Sequence, residues 1–329
     1  MIVINWGAMK IQDKYGRTFK TLRVSLTNSC NLGCIYCVHS SDQKTTPDNL
    51  LLKTLDYKEI AHSIKKIHAL NPLETVRITG GEPTLYKDLI PFIKELKAIG
   101  IQNIKMTSNG YLLNDLLPSL AEAGLKKINI SLDAVNKESF HKISGRKNIE
   151  KVLEAIEKAL ECNIEIKINA VILKSINEDQ IVPLFKFSKD KNITLRFLEL
   201  MSMGPLYQNK EFEKYFISEK EILKIISENY SFTPLLREDS STANYWRTSD
   251  GYTFGIIANE SSPFCHDCNR LRLDSYGNIY GCLSNETAIF ITDSLEDENT
   301  MREKLQTALS QKQELKFTGS SLSMMAIGG

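Results

Sequence analysis

The chain has no apolar run long enough to span a bilayer, so a helical membrane span is excluded and no membrane partner is expected. Its opening, Met1 to Met9, is mildly apolar but carries neither a basic leading segment nor a cleavage site, so no secretory signal is read there. An excess of charge of one sign is missing too: 41 Lys and Arg stand against 40 Asp and Glu, a net +1. No global field recruits nucleic acid or an anionic surface, and an anionic small substrate has to be met by local cations. A disulfide framework is also absent. The seven cysteines fall as two triplets, Cys30/Cys34/Cys37 and Cys265/Cys268/Cys282, with Cys162 left over. An odd count in two clusters suits metal ligation in a reducing cytoplasm. Cys162 ends an amphipathic helical stretch and reads as a small core residue.

The 329 residues allow one large domain and a smaller one, or two of ordinary size. From Leu22 the chain alternates strand-like runs with helical ones. The strand candidates are Leu22–Leu26, Thr75–Thr79, Asn103–Thr107, Lys127–Leu132, Glu165–Ile172 and Thr194–Leu200, with helical patterns near 56–70, 87–100, 113–124, 148–162 and 178–190. That order predicts a parallel sheet with right-handed crossovers. Within the strands, Leu22/Val24/Leu26 oppose Arg23/Ser25/Thr27, Val76/Ile78 oppose Thr75/Arg77/Thr79, and Ile128/Ile130/Leu132 oppose Asn129/Ser131/Asp133. Parallel strands covered on both faces read as continuous apolar runs, and a filled barrel packs its interior with branched apolar side chains. One apolar and one polar face instead predict a curved sheet or partial barrel around a polar ligand; a half-solvated sheet is the alternative. From about residue 216 the strands shorten, after a helix over Ser218–Asn229, to runs such as Tyr252–Ile257 and Leu271–Asp274. The second cysteine triplet brackets a hairpin turning at Tyr276-Gly277-Asn278.

Thiolates are soft ligands that suit iron–sulfur clusters and zinc. Zinc in a structural site takes four ligands, and neither triplet has a close fourth unless His266 serves the second as a zinc ribbon. Three thiolates on a [4Fe–4S] cube leave one iron open to a small molecule. The spacing Cys30-Asn31-Leu32-Gly33-Cys34-Ile35-Tyr36-Cys37 resembles the radical S-adenosylmethionine (SAM) superfamily, although three structural cysteines near a loop would read the same way. Gly80-Gly81-Glu82-Pro83, Thr107-Ser108-Asn109-Gly110 and Ser131-Leu132-Asp133 follow successive strands, and with the triplet they resemble that superfamily's (βα)6 partial TIM barrel. Paired glycines also let backbone approach a ligand closely.

Arg196-Phe197-Leu198-Glu199-Leu200-Met201, Gly145-Arg146, Lys167-Ile168-Asn169 and Cys265-His266-Asp267-Cys268-Asn269-Arg270-Leu271-Arg272-Leu273 with Cys282 resemble the GTP 3′,8-cyclase branch, molybdenum cofactor biosynthesis protein A. The closing Met325-Ala326-Ile327-Gly328-Gly329 matches its diglycine tail. The resemblance implies an α/β fold, with a (βα)6 partial TIM barrel over residues 1–215 and a smaller C-terminal α+β domain over 216–329 capping the open side. It implies two [4Fe–4S] clusters, held by Cys30, Cys34 and Cys37 and by Cys265, Cys268 and Cys282. SAM would contact Tyr36, Gly80, Gly81, Glu82, Ser131 and Met201. GTP would contact Arg17, Arg77, Thr107, Lys167, Arg270, Leu271 and Arg272, with Arg17, Gly328 and Gly329 serving catalysis. An electron donor such as flavodoxin or ferredoxin, and a monomer or homodimer, complete the expectation. Fork-shaped guanidinium groups suit phosphate oxygens, and Arg77 and Lys167 lie on polar strand faces independently of any resemblance; solvated surface charge is the alternative.

Two departures stand out. Val38-His39-Ser40 follows Cys37 where the family usually has Met-Pro and an acidic residue, and Thr75 stands where many members carry Lys. A paralogous two-cluster radical SAM enzyme acting on a peptide or another nucleotide is the competing reading.

Overall fold

A computed structural model describes residues 10–37 and 54–328. The Val38-His39-Ser40 departure and Gly329 lie outside the described residues. Among the described residues twelve strands form one sheet: β1 Thr21–Ser25, β2 Thr75–Thr79, β3 Asn103–Ser108, β4 Lys127–Ser131, β5 Glu165–Val171, β6 Thr194–Leu198, β7 Phe232–Pro234, β8 Asn244–Thr248, β9 Thr253–Ile257, β10 Arg270–Leu273, β11 Asn278–Tyr280 and β12 Ile289–Phe290. The sheet order is β12-β11-β10-β1-β2-β3-β4-β5-β6-β9-β8-β7. The first six strands are the parallel set that the alternation predicts, in sequence order.

The C-terminal strands extend this sheet at both ends. β9 runs parallel to β6 and carries the antiparallel β8 and β7, while β10 runs parallel to β1 and carries β11 and β12. The two open edges of the six-stranded sheet are thereby covered with backbone partners, which removes the unpaired N–H and C=O rows that an edge exposes. The same pairings bring Arg270 and Arg272 beside β1, and Tyr245 and Thr253 to the far side.

Helices α1 (Tyr57–Leu70), α2 (Leu89–Ile99), α3 (Leu117–Glu122), α4 (Lys137–Ser144), α5 (Glu150–Glu161) and α6 (Ile181–Asp190) connect the parallel strands. Their apolar stripes, including Ile60, Ile64, Phe92, Leu96, Val152, Ile156, Leu184 and Phe185, pack with Val24, Ile78, Met106, Ile130, Ile168 and Phe197 of the strands into one core. α1 starts on a capping box in which Asp56 accepts from Lys58 N and Glu59 N while the Glu59 side chain returns to the Asp56 backbone. α4 lies outside the predicted helices, although its caps are plain in the sequence: the Asn136 side chain accepts from Ser139 N, and Gly145 closes the helix in the left-handed conformation. α7 (Lys210–Tyr215), α8 (Glu219–Ser227), α9 (Glu298–Ser310) and α10 (Met324–Ile327) follow. No helix among the described residues is long and apolar enough to cross a membrane.

Candidate active site

The polar faces of the strands enclose a chamber of about 990 Å³. All six clustered cysteines line it, together with Tyr36, Gly80, Gly81, Glu82, Thr107, Ser131, Met201 and the cations Arg23, Arg77, Lys105, Lys167, Arg196, Arg270 and Arg272.

The first triplet sits on the loop after β1. Gly33 N donates to Ser144 O at 2.9 Å and Ile35 N to Ile143 O at 3.1 Å, so the end of α4 holds this loop through backbone bonds. Arg146 Nε adds a bond to Asn31 O at 2.7 Å. Between two cysteines, Tyr36 turns its hydroxyl to Asp133 Oδ2 at 2.7 Å, and Asp133 Oδ1 accepts from Val171 N at 2.8 Å. Glu82 is saturated by the protein: its carboxylate accepts from Thr84 N, Thr84 Oγ1, Ser108 Oγ and Asn109 N at 2.7–3.0 Å. It thus locks the Gly-Gly-Glu-Pro loop to the next one, whose Asn109 Nδ2 lies 3.7 Å from Cys30 Sγ. The glycine pair has a closer reason than ligand approach. A Cβ on Gly81 would come within 2.3 Å of Ser29 O, so this loop packs backbone against the cysteine-bearing chain.

The second triplet begins in a single turn, Cys265–Asp267, and ends after β11. Lys312 is buried beneath it, donating from Nζ to Cys268 Sγ at 3.2 Å, to Arg270 O at 2.5 Å and to Gly281 O at 3.0 Å. Burial raises the Cys268 thiol, but the positive charges of Lys312 and Arg270 outweigh it and hold the group at about 6. Burial, then Cys282 and Cys268, push Cys265 up to about 11.

The residues fit the clusters the sequence implies. Within each set the thiols lie near enough to perturb one another. Among the described residues no three of His, Cys, Asp or Glu converge tightly enough for one metal ion; a four-iron cube spreads its ligands more widely. His266, the alternative fourth ligand, has a side chain 65% exposed with Nε2 3.9 Å from Asp267, and it does not line the chamber. Each set therefore offers three soft donors facing a shared cavity.

The structure places Arg17 outside the chamber. Its Nε pairs with Asp13 Oδ2 at 2.6 Å, Nη1 donates to Cys265 O and Gln313 O at 2.7 Å each, and Nη2 to Lys312 O at 3.3 Å. With these bonds made, it ties the N-terminal segment to the second cysteine turn and to the segment carrying Lys312. The chamber position belongs to Arg23, six residues on, which strand alternation puts on the polar face of β1. Leu271 is fully buried in the core on the opposite face of β10 from Arg270 and Arg272, and it does not line the chamber. Gly328 lies against β1 and β2, where Arg272 Nη1 donates to its carbonyl. At φ +74°, with an added Cβ 2.2 Å from Thr79 Oγ1, only glycine fits there.

Among the described residues Arg23, Arg77, Arg196, Arg270 and Arg272 lack carboxylate partners. Arg23 Nε, Arg77 Nη1 and Thr107 Oγ1 are buried with no hydrogen-bond partner among the described residues. Burial, then repulsion from Arg272, Arg77, Arg270 and Arg196, pulls Arg23 well below the usual guanidinium range. Burial and the neighbouring Arg196 and Arg270 lower Arg77 to about 10. Arg196 donates to Asn169 Oδ1 from Nε at 3.0 Å and Nη2 at 2.6 Å, Arg270 Nη1 reaches Ser240 O at 2.9 Å, and Lys167 Nζ stands 5.6 Å from the centre of the Tyr245 ring. Unsatisfied buried donors are costly, and so many like charges in a low-dielectric cavity repel one another unless an anion stands among them.

A curled parallel sheet with three thiols after its first strand defines a class. Residues 24–188 match the model of the Radical SAM superfamily, and residues 193–318 match that of Molybdenum Cofactor Synthesis C. Among solved structures, the fold is similar to Streptococcus suis SuiB bound to precursor peptide SuiA (TM-score 0.64, 14% identity, covering 91% of this chain and 68% of that one). It is also similar to anSMEcpe with bound AdoMet (TM-score 0.63, 20% identity, 89% and 84%). In sequence, the chain is 37% identical over 294 residues to the GTP 3′,8-cyclase of Aquifex aeolicus, covering 88% of this chain and 90% of that protein. It is 40% identical over 290 residues to that of Aliarcobacter butzleri, covering 86% of each. The chain belongs to the GTP 3′,8-cyclase family of the radical SAM superfamily.

Proposed function

We propose that the protein is the radical SAM GTP 3′,8-cyclase of molybdenum cofactor biosynthesis, a lyase converting GTP to 3′,8-cyclo-7,8-dihydro-GTP. The carrying observation is the set of unpaired, buried arginines on the chamber wall between the two thiol triplets. A triphosphate supplies the missing negative charge as closely spaced oxygens on one chain, whereas a peptide without acidic side chains does not. Cys30, Cys34 and Cys37 would hold one [4Fe–4S] cluster, and Cys265, Cys268 and Cys282 a second. Bound at these sites, the clusters and SAM supply the electron and the 5′-deoxyadenosyl radical that such chemistry requires.

The chain's own part is binding and orientation. Arg23, Arg77 and Arg272 present guanidinium forks to phosphate oxygens, with Lys167 and Arg196 on the neighbouring strands β5 and β6. The Thr107 hydroxyl is a further unused polar group beside them. Tyr36 and Asp133 brace the first cysteine loop, and Gly80, Gly81, Ser131 and Met201 line the SAM side. Gly328, whose carbonyl accepts from Arg272, and Gly329 would serve catalysis. Confinement in a cavity of this kind keeps water from reactive species.

Residues 1–215 act as the SAM-cleaving part and 216–329 as the part carrying the second cluster. An electron donor such as flavodoxin or ferredoxin, a cytoplasmic setting and a monomer or homodimer complete the proposal. The test is anaerobic incubation of reconstituted protein with SAM, reductant and a panel of nucleotides, with product masses recorded. The cyclised product from GTP is expected; conversion of another nucleotide, or none, overturns the assignment.

A further inference from the structure

Four cationic side chains stand in register across four neighbouring parallel strands on the chamber face. Arg272 of β10 is opposite Arg23 of β1, Arg23 is opposite Arg77 of β2, and Arg77 is opposite Lys105 of β3. Like charges directly opposite one another weaken a sheet, so this row acts against the empty fold. Arg272 at one end is engaged by the Gly328 carbonyl. Lys105 at the other end lines the chamber, is partly buried, and makes no hydrogen bond or ion pair with any described residue. The next side chain in register, Lys127, is paired with Glu165 at 2.6 Å, which leaves that carboxylate engaged. On the same face of β3, two residues on, the buried Thr107 hydroxyl is also without a partner among the described residues.

Thr75 gives the row its second peculiarity. It lies two residues before Arg77 on the same face of β2 and also lines the chamber, but carries no charge. Adjacent strands are only about 4.8 Å apart, so a long ammonium side chain from β3 reaches the space in front of β2.

Resting on the assignment of a nucleoside triphosphate to this chamber, we propose that Lys105 is a substrate-contacting residue. Its ammonium binds the phosphate chain beside Arg77 and supplies the cation that neutral Thr75 does not. Burial, then Arg77, Lys127 and Lys167, lower the affinity of Lys105 for its proton in the empty chamber; a polyanion relieves that repulsion.

The experiment compares the reconstituted holoenzyme with its Lys105→Gln variant and with Thr75→Lys/Lys105→Gln. Lys105→Gln is expected to raise KM for GTP about tenfold or more, the effect of one charge-assisted contact, while kcat changes little. Guanosine affinity stays unchanged, because guanosine has no phosphate. The nucleotide-free variant melts no lower than the parent, since a repulsive charge has gone, but gains less from added GTP. The double variant recovers most of the lost affinity. A GTP KM within twofold of the parent, equal losses for GTP and guanosine, or a variant that melts lower or fails to fold overturns the proposal. Parent protein that turns over GTP alongside an unaffected variant refutes the role of Lys105 alone. Parent protein that takes up no nucleoside triphosphate overturns the cyclase assignment first.

Discussion

Apart from Tyr36 and the thiols themselves, the ionisable neighbours of Cys30 and Cys34 are the carboxyl groups of Glu82 and Asp133. Burial and Glu82 raise Cys30, burial and Asp133 raise Cys34 far above its usual value, and burial with Cys30 pushes Cys37 up to about 12. Around Cys265, Cys268 and Cys282 the neighbours are Lys312, Arg270 and Arg272, and Cys268 falls to about 6. Two thiol sets on one cavity thus sit in opposite fields. A sulfonium compound such as SAM carries positive charge at its sulfur and suits the carboxyl side; a triphosphate suits the guanidinium side. On the proposed assignment, such a charge distribution along the wall would direct the two ligands to opposite sides of the cavity.

Removing the thiols tests that division most severely. Alanine at Cys30, Cys34 and Cys37 is expected to abolish reductive cleavage of SAM. Alanine at Cys265, Cys268 and Cys282 is expected to leave cleavage running, uncoupled from GTP conversion. Each triple variant keeps about four of about eight iron atoms per chain, as expected for one remaining cube. Equal loss of SAM cleavage in both would erase the contrast.

A smaller effect separates the two arginines on either side of Phe19 and Lys20. Arg23→Ala is expected to raise KM for GTP by about 100-fold, with SAM cleavage and melting temperature nearly unchanged, since a charged hydrogen bond is worth about 1.5–3 kcal/mol. Arg17→Met breaks a buried ion pair and three carbonyl contacts. It is expected to cost about 3–5 kcal/mol of stability, with activity falling through loss of iron at the second site. Calorimetry beside iron counts distinguishes the two; a stable Arg17→Met protein with raised KM reverses the roles.

That pair also shows how far the sequence was legible. Strand alternation put Arg23, Arg77, Lys167, Arg270 and Arg272 on polar faces, because a period of two is a local property that needs no knowledge of neighbours. Motif resemblance pointed to Arg17, which precedes β1 and has no face to be on. The six parallel strands were legible to within two residues, as were both cysteine sets. The joins of β10 to β1 and β9 to β6 were not, since register between segments some 60 to 250 residues apart leaves no local mark. Lys312 was equally invisible: a lysine in a polar tail reads as solvent-facing until the fold buries it under Cys268. Glu82 read as a cofactor contact because its motif adjoins the cysteine loop; it lines the chamber, and what the motif did not reveal is that its carboxylate also accepts four bonds from the protein.

The gentlest test of the contrast is acid–base. Burial pushes Asp133 from an ordinary 3.8 up to about 6, against the lowering effect of bonds from Tyr36 and Val171 N. The folded state therefore holds a proton that the unfolded chain has released. Protonated Asp133 carries no penalty at low pH, and stability falls as pH rises from the unfolded value through the folded one. Between pH 5 and pH 7 the parent should lose about 1 kcal/mol relative to Asp133→Asn, from ~1.4 kcal/mol per unit of the remaining titration. That is about 2–4 °C in melting temperature for a domain of this order of size, after which the two profiles run parallel. An Arg272→Gln protein, altered on the guanidinium side, should keep the parent's profile over the same window. Matched melting curves of the three holoproteins decide it: if Asp133→Asn tracks the parent at every pH, the carboxyl beside the first cysteine loop is ionised throughout, and the field there is set by something other than a buried proton.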